Sequence, residues 1–256
     1  MSRFHRFIGV DYSGAATPNS PLPGLRVFES PSEGLPFEVR PSSHPSRHWT
    51  RQGVAEWLLE GILGEQPVLI GIDHGFSFPS VYFDEYGLSG NWDLFLNDFC
   101  AFWPSDQRGK TVRMLRESNP RRGDSKARRH VEILARAKSV FHFDVPGSVA
   151  SSTHAGLPWL RWIRERAGCA LHFWPYDGTL IPDGCSVIAE AYPALWFREE
   201  CPTDWSRDQW DAFLIAEALA KAARSGVLSS WFAPQWPKQL DAKIEREGWI
   251  LGFSGG

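Results

Sequence analysis

Phe7-Ile8-Gly9-Val10-Asp11-Tyr12-Ser13-Gly14-Ala15 is the stretch whose reading decides the fold. A short apolar run leads into one acid, and small residues follow it. That is the pattern of a buried strand that stops at Asp11 and turns. The pattern returns at Pro67-Val68-Leu69-Ile70-Gly71-Ile72-Asp73 and, shorter, at Ser186-Val187-Ile188-Ala189-Glu190. Runs of this kind belong to strands covered on both faces, as in parallel sheets packed between helices. The chain is therefore read as α/β with a mixed sheet.

Working outward, Leu25-Arg26-Val27-Phe28 and Phe37-Glu38-Val39 are short strands separated by a turn-rich stretch from Pro31 to Pro36, and Ala170-Leu171-His172-Phe173 is another. A helix is expected from Gln52 to Leu63, where Val54, Trp57, Leu58 and Ile62 share one face. A second runs from Trp159 to Ala167 with Pro158 at its start, where a missing N–H does no harm. The last spans Arg207 to Ser225. Ser206 and Gln209 have capping-box spacing there, and Gly226 closes the helix. Residues 80–138 contain an aromatic helical stretch from Trp92 to Trp103 and a basic segment. They are read as a partly helical, mobile insertion in a single domain spanning 1–256.

The 256 residues suit one elaborated domain at ~150 residues per ordinary domain. With 43% hydrophobic and 22% charged residues, general disorder is excluded. No apolar run approaches the ~18 residues of a membrane span. Arg3-Phe4-His5-Arg6 leads straight into the first strand without a signal-peptide core. Cys100, Cys169, Cys185 and Cys201 are scattered with no C-x-x-C pair, so neither zinc nor a disulfide framework is indicated. A reduced, cytoplasmic protein with no membrane partner is expected. The net charge of -3 argues against an overall nucleic-acid coat. One basic patch stands out from Arg108 to Arg129, with only Glu117 and Asp124 against it.

The acids at the ends of elements carry the chemistry. Asp11, Asp73 and Glu190 each end an apolar strand, and Asp211 lies one turn into the last helix with Asp208 on the same face. A buried strand-end acid is costly unless paired or bound to a cation. In open α/β sheets, ligands bind at the carboxyl ends of strands. Oxygen donors of this kind suit Mg²⁺ or Mn²⁺. Two such ions, about 3.5–4 Å apart, activate water and stabilise the leaving oxygen of a phosphodiester. Against this, a single strand-end Asp often caps the next turn, and the acids together would also make a structural network.

Ile8 to Ala15, Ile70-Gly71-Ile72-Asp73 ending in Pro79, Glu190-Ala191-Tyr192-Pro193 and Asp211-Ala212 resemble the ribonuclease H-like fold. More closely, they resemble the predicted-nuclease family known as domain of unknown function four-two-nine. Gly147-Ser148-Val149 with Gly156-Leu157-Pro158, and Glu247-Gly248-Trp249-Ile250-Leu251-Gly252, also look like that family. The resemblance covers most of the chain except the second hairpin region and residues 80–138. It implies a central five-stranded mixed sheet flanked by helices, with Asp11, Asp73, Glu190 and Asp211 as metal-binding positions. Asp11 would bridge two ions, Asp73 and Glu190 would each complete one, and Asp211 would steer the water or the second ion. Nuclease activity in that family is itself inferred from fold, so site geometry carries over better than substrate.

Four further features enter as substrate-binding candidates. His74, in His74-Gly75-Phe76, departs from the ribonuclease H pattern and is either a proton shuttle or a satisfied loop histidine. Ser13 lies in a turn similar to the phosphate-facing turn of the actin and sugar-kinase superfamily. Those kinases need two copies of the fold, however, and the chain has no P-loop sequence. Ser148, in the small polar stretch 147–154, offers donors to a phosphate or simply caps a helix. Arg121, Arg122, Arg128 and Arg129 either bind a nucleic-acid backbone, with Trp103 or Phe102 for base stacking, or form a solvated loop. No G-x-S-x-G nucleophile elbow is present. The expected function is divalent-metal-dependent phosphodiester hydrolysis on nucleic acid or nucleotide. The alternative is a non-catalytic protein that binds a nucleotide or another phosphate ligand.

Overall fold

The computed structural model describes residues 3–42, 47–88, 90–197 and 200–255. The strands are β1 (Arg6–Asp11), β2 (Arg26–Pro31), β3 (Phe37–Glu38), β4 (Val68–Asp73), β5 (Leu171–Trp174) and β6 (Ser186–Glu190). The helices are α1 (Arg51–Ile62), α2 (Ser80–Glu85), α3 (Trp92–Phe102), α4 (Val112–Glu117), α5 (His130–Leu134), α6 (Ala150–Ala167), α7 (Arg207–Ser225), α8 (Leu228–Phe232) and α9 (Asp241–Glu247).

The six strands form one mixed sheet in the order β3-β2-β1-β4-β6-β5. β1, β2 and β3 form an antiparallel meander, whereas β1, β4, β6 and β5 run parallel. Among the described residues the expected count of five strands is therefore corrected to six. β5, every residue of which is buried, covers the edge that β6 would otherwise leave open. Among the described residues no helix is long and apolar enough to cross a membrane. All four cysteines are free thiols.

Side chains alternate along each strand, so the two faces have separate cores. Ile8, Val10, Ile70, Ile72 and Ile188 face α1 and α6, whereas Phe7, Leu69, Val187 and Ala189 face α7. α7 comes close because Gly9 and Gly71 are register partners. A Cβ on Gly9 would lie 2.2 Å from the Ala212 carbonyl oxygen, and one on Gly71 would lie 2.6 Å from Ile215 Cγ2. Small residues on the helix, Ala212 and Ala216, complete the fit, while Ile215 and Leu219 are fully buried. Each large aliphatic side chain contributes roughly 1.5–3 kcal/mol on burial. The expected capping box of Ser206 and Gln209 is present, and Gly226 ends the helix in the left-handed region at φ 79°. This fixed seat sets the first turn of α7 above the carboxyl ends of β1 and β4.

One local expectation is corrected. α6 begins at Ala150, eight residues before Pro158, so the proline lies inside the helix. Pro158 has no N–H for the carbonyl of His154 four residues earlier. Ser105 Oγ, fully buried, donates to that carbonyl instead at 2.6 Å. Part of the segment read as an insertion is built into the core. Phe78, Tyr82, Phe95, Phe99 and Phe141 form one aromatic cluster, continuous with the core beneath α1 and α6. Burial of so many rings fixes α3 against α6, while α2 packs on α9.

Candidate active site

Parallel pairing of β1 with β4 puts Asp11 directly beside Asp73. Their side chains leave the sheet on the face that α7 covers, where Asp208 and Asp211 come down from its first turns. Asp11 hydrogen-bonds Asp208. The carboxyl of Asp11 is pushed well above the usual carboxylate range by burial first, then by the charges of Asp73, Asp208 and Asp211. Asp73 is pushed up to about 8, again by burial first, then by Asp211 and Glu190, with Arg207 pulling the other way. Asp208 and Asp211 are raised more modestly, each chiefly by burial. Arg207 Nε donates to Asp211 at 3.0 Å, and Arg26, in register with Asp11, lowers Asp208. Four carboxyl groups thus crowd together with two arginines at their margin. At neutral pH part of the set holds protons.

Glu190 reaches this group only through its charge on Asp73. β6 pairs with β4 so that Glu190 stands beside Ile72 and not beside Asp73. That offset of one residue sends its side chain to the opposite face of the sheet. There Arg129 grips it through both guanidinium nitrogens, at 2.7 Å and 2.5 Å, and the amide of Phe76 donates to it at 3.1 Å. Arg129 also bonds Glu132 at 2.9 Å and the Glu247 carbonyl at 3.2 Å. A bidentate, buried partner of this kind already supplies the countercharge that the sequence reading assigned to a metal.

Among the described residues, no three or more His, Cys, Asp or Glu side chains stand close enough around one point to hold a metal ion. The donor chemistry of Asp11, Asp73, Asp208 and Asp211 is oxygen only, which fits Mg²⁺ or Mn²⁺ and not a softer ion.

The substrate-binding candidates separate. Ser13 lies just beyond Asp11, where Arg51 ties down the turn through the carbonyls of Ser13, Ala15 and Ala16 at 3.1, 2.7 and 3.2 Å. His74 is fully buried, with Nδ1 on the Gly75 carbonyl at 2.9 Å and its ring edge-on to Tyr12. Burial holds it down to about 4, so it is neutral, and its Nε2 end abuts Gly156. It is a packing residue at this site rather than an exposed proton shuttle. Ser148 spends its hydroxyl on the His142 carbonyl.

The basic segment is mostly committed internally. Arg121 pairs with Asp98 at 2.7 Å and lies over the rings of Tyr86 and Phe102. Arg122 binds the carbonyls of Glu117 and Asn119, and Arg129 is buried. Arg122 and Arg128 are exposed and without a charge partner among the described residues, and Arg128 also makes no side-chain hydrogen bond there. Trp103 is buried with its indole N–H on the Arg121 carbonyl, and Phe102 is covered by Arg121. The expected stacking role for these two aromatics is therefore corrected.

The sequence places Asp208 on the face of Asp211 without counting it among the metal-binding positions, and it gives no sign of an adjoining cleft. Asp208 enters the acid group through its three-residue spacing from Asp211, a signal visible in the sequence. A cleft of about 130 Å³ beside Asp73 is bounded by Arg136, Lys138, Gly147, Val149 and Tyr192, and no sequence signal located it. No protein-family model, curated protein or solved structure matches this chain.

Proposed function

We propose that the chain is a divalent-metal-dependent hydrolase of phosphodiester bonds, a nuclease with a ribonuclease H-like arrangement. One observation carries this reading. Asp11 and Asp73 are side by side at the ends of parallel strands, beneath Asp208 and Asp211, and burial first, then the neighbouring acidic charges, raises both carboxyls. Carboxyls held in that state are poised to exchange protons for cations. The resemblance of the strand-end motifs to the nuclease family points the same way.

Asp11, Asp73 and Asp211 would hold Mg²⁺ or Mn²⁺, with Asp208 joining them once it releases Asp11. The ions would supply Lewis-acid polarisation of the phosphate and a more acidic water. In the hydrolysis, a water oxygen bonds to phosphorus as the bond to the leaving oxygen breaks. The water's proton passes to a carboxylate or to solvent, and the leaving oxygen takes up a proton. Arg207 keeps Asp211 oriented toward the group. Glu190 contributes through Arg129 to the shape of the adjoining wall.

The test is hydrolysis of single-stranded DNA, RNA and hybrid duplexes with Mg²⁺, Mn²⁺ or chelator. Cleavage should require the ion and disappear in Asp11→Asn, with the fold unchanged by circular dichroism. Full activity in Asp11→Asn, or ion-independent cleavage, overturns the reading. Ligand binding with neither turnover nor ion dependence would instead favour a non-catalytic phosphate-ligand protein.

A further inference from the structure

Gly-Cys occurs on either side of β5, as Gly168-Cys169-Ala170-Leu171 and Gly184-Cys185-Ser186-Val187. Leu171 and Ser186 are register partners on the parallel strands β5 and β6. Both cysteines therefore lie just before the paired stretch, at the amino ends of the two strands. Each follows a glycine of positive φ, 52° at Gly168 and 79° at Gly184, where the chain turns toward its strand. The Cys185 thiol points at its counterpart, with Sγ donating to the Cys169 carbonyl oxygen at 3.1 Å. A carbonyl oxygen lies about 2.4 Å from its own Cα, so Cys185 Sγ is no more than roughly 5.5 Å from Cys169 Cα. Neighbouring strands are spaced about 4.7–4.9 Å, inside the ~4.4–6.8 Å that separates the Cα atoms of bonded cysteines.

Both thiols are open to small reagents, since Cys169 is exposed and Cys185 half-buried. The other two cysteines sit differently. Cys100 lies on α3, where burial pushes its thiol up to about 12 although Arg161 pulls the other way. The thiolate is the reacting form of cysteine, so Cys100 is slow to react. Cys201 faces the carbonyls of Pro202, Trp205 and Ser206 at 3.6, 3.8 and 3.8 Å. β5 itself is the outer strand of the parallel part, buried throughout but paired on one side only. A bond between Cys169 and Cys185 would lie across that single pairing, at the end of the strands opposite to Asp73 and Glu190.

We propose that Cys169 and Cys185 are a modification site, forming a reversible disulfide on exchange with a small disulfide such as glutathione disulfide. The bond clamps β5 to β6 and is independent of the phosphodiester reading. Exposed Cys169, as its thiolate, attacks one sulfur of the reagent. The reagent's S–S bond breaks, and one glutathione leaves as a thiolate. Cys185 then gives up its proton and attacks the Cys169 sulfur of this mixed disulfide, displacing the second glutathione. Two protein thiols are oxidised, the reagent is reduced to two thiols, and the two protons released by the protein pass through solvent to them. The Cys169 carbonyl already holds Cys185 Sγ beside the residue it must reach. Closing the loop 169–185 restricts the unfolded chain while the folded strands keep their places.

The experiment treats the full chain with glutathione disulfide, blocks the remaining thiols, and cleaves before Asp177 and Asp183 for mass spectrometry without reductant. Those two acids lie between the cysteines, so the bond joins peptides that are otherwise separate. The Cys169 and Cys185 peptides should be found linked, with two of the four thiols still free. The oxidised chain should melt about 5 °C higher than the reduced one, and dithiothreitol should reverse both changes. Cys185→Ser should stop at one glutathione on Cys169 with no gain in Tm, and Cys169→Ser should form no link. A mixed disulfide that persists in the parent, or a bond between two chains through Cys169, overturns the pairing. A linked chain whose Tm is no higher than that of the reduced protein overturns the clamp.

Discussion

Asp11 and Asp73 are register partners on neighbouring parallel strands, and their carboxyls share the face that α7 closes. A pair placed this way is destabilised when both are charged, and α7 adds two more acids above it. The site is thus organised around a repulsion that the fold tolerates, because Gly9, Gly71 and the alanines of α7 hold the helix in place regardless.

Stability should fall with rising pH. An unfolded Asp titrates near 3.9, whereas folded Asp73 is pushed up to about 8. Between those values the folded chain keeps a proton the unfolded chain has lost. The contribution is therefore complete below about pH 4, declines through the window, and is gone above pH 8. One such proton gives a slope of about 1.4 kcal/mol per pH unit. Urea unfolding in chelator from pH 5.5 to 8.5 should show a steeper decline for the parent than for Asp73→Asn. Parallel curves would refute the coupling.

Divalent ions should reverse that loss. Mn²⁺ competes with protons for the same oxygens, so its affinity should rise with pH through 8, and binding should release protons measurable in weak buffer. At one hundred times its Kd the ion should stabilise the parent by about 2.7 kcal/mol. Asp11→Asn should lose most of this gain, and thermal unfolding with and without Mn²⁺ reads it directly.

Arg129 and Glu190 should behave as structural partners. Arg129→Met leaves Glu132 and Glu190 buried and unpaired, at a cost of about 3–5 kcal/mol. Glu190→Gln should leave the Mn²⁺ affinity within about twofold of the parent, unlike Asp73→Asn. A large loss of ion affinity in Glu190→Gln would return that residue to the metal site.

Gly156 is required by His74. A Cβ at this position would lie 2.3 Å from His74 Nε2, so Gly156→Ala should destabilise by about 1–3 kcal/mol through overpacking. In the His74→Ala background, where the ring is gone, the same change should cost much less. Equal costs in the two backgrounds would show that the contact is not the cause.

The strand-end acids, the α/β class and the capped last helix were legible, because each depends on local pattern. Glu190 was not, since its face follows from how β6 registers against β4, and a sequence carries no direct record of that offset. Pro158 misled for a similar reason. Its helix continues on both sides because Ser105, more than fifty residues earlier, supplies the missing donor. The basic patch looked like a binding surface until Asp98 and the carbonyls of Glu117 and Asn119 were found to engage Arg121 and Arg122. The better guide to residues 80–138 was their aromatic content, which requires burial.

The bond from Ser105 to the His154 carbonyl has an evolutionary corollary. Losing the hydroxyl alone would strand a carbonyl next to aromatic rings, whereas replacing Pro158 by a residue with an N–H would make the hydroxyl redundant. Among descendants of this chain, the proline should therefore be the first of the two to go, with Ser105 free to drift only afterwards.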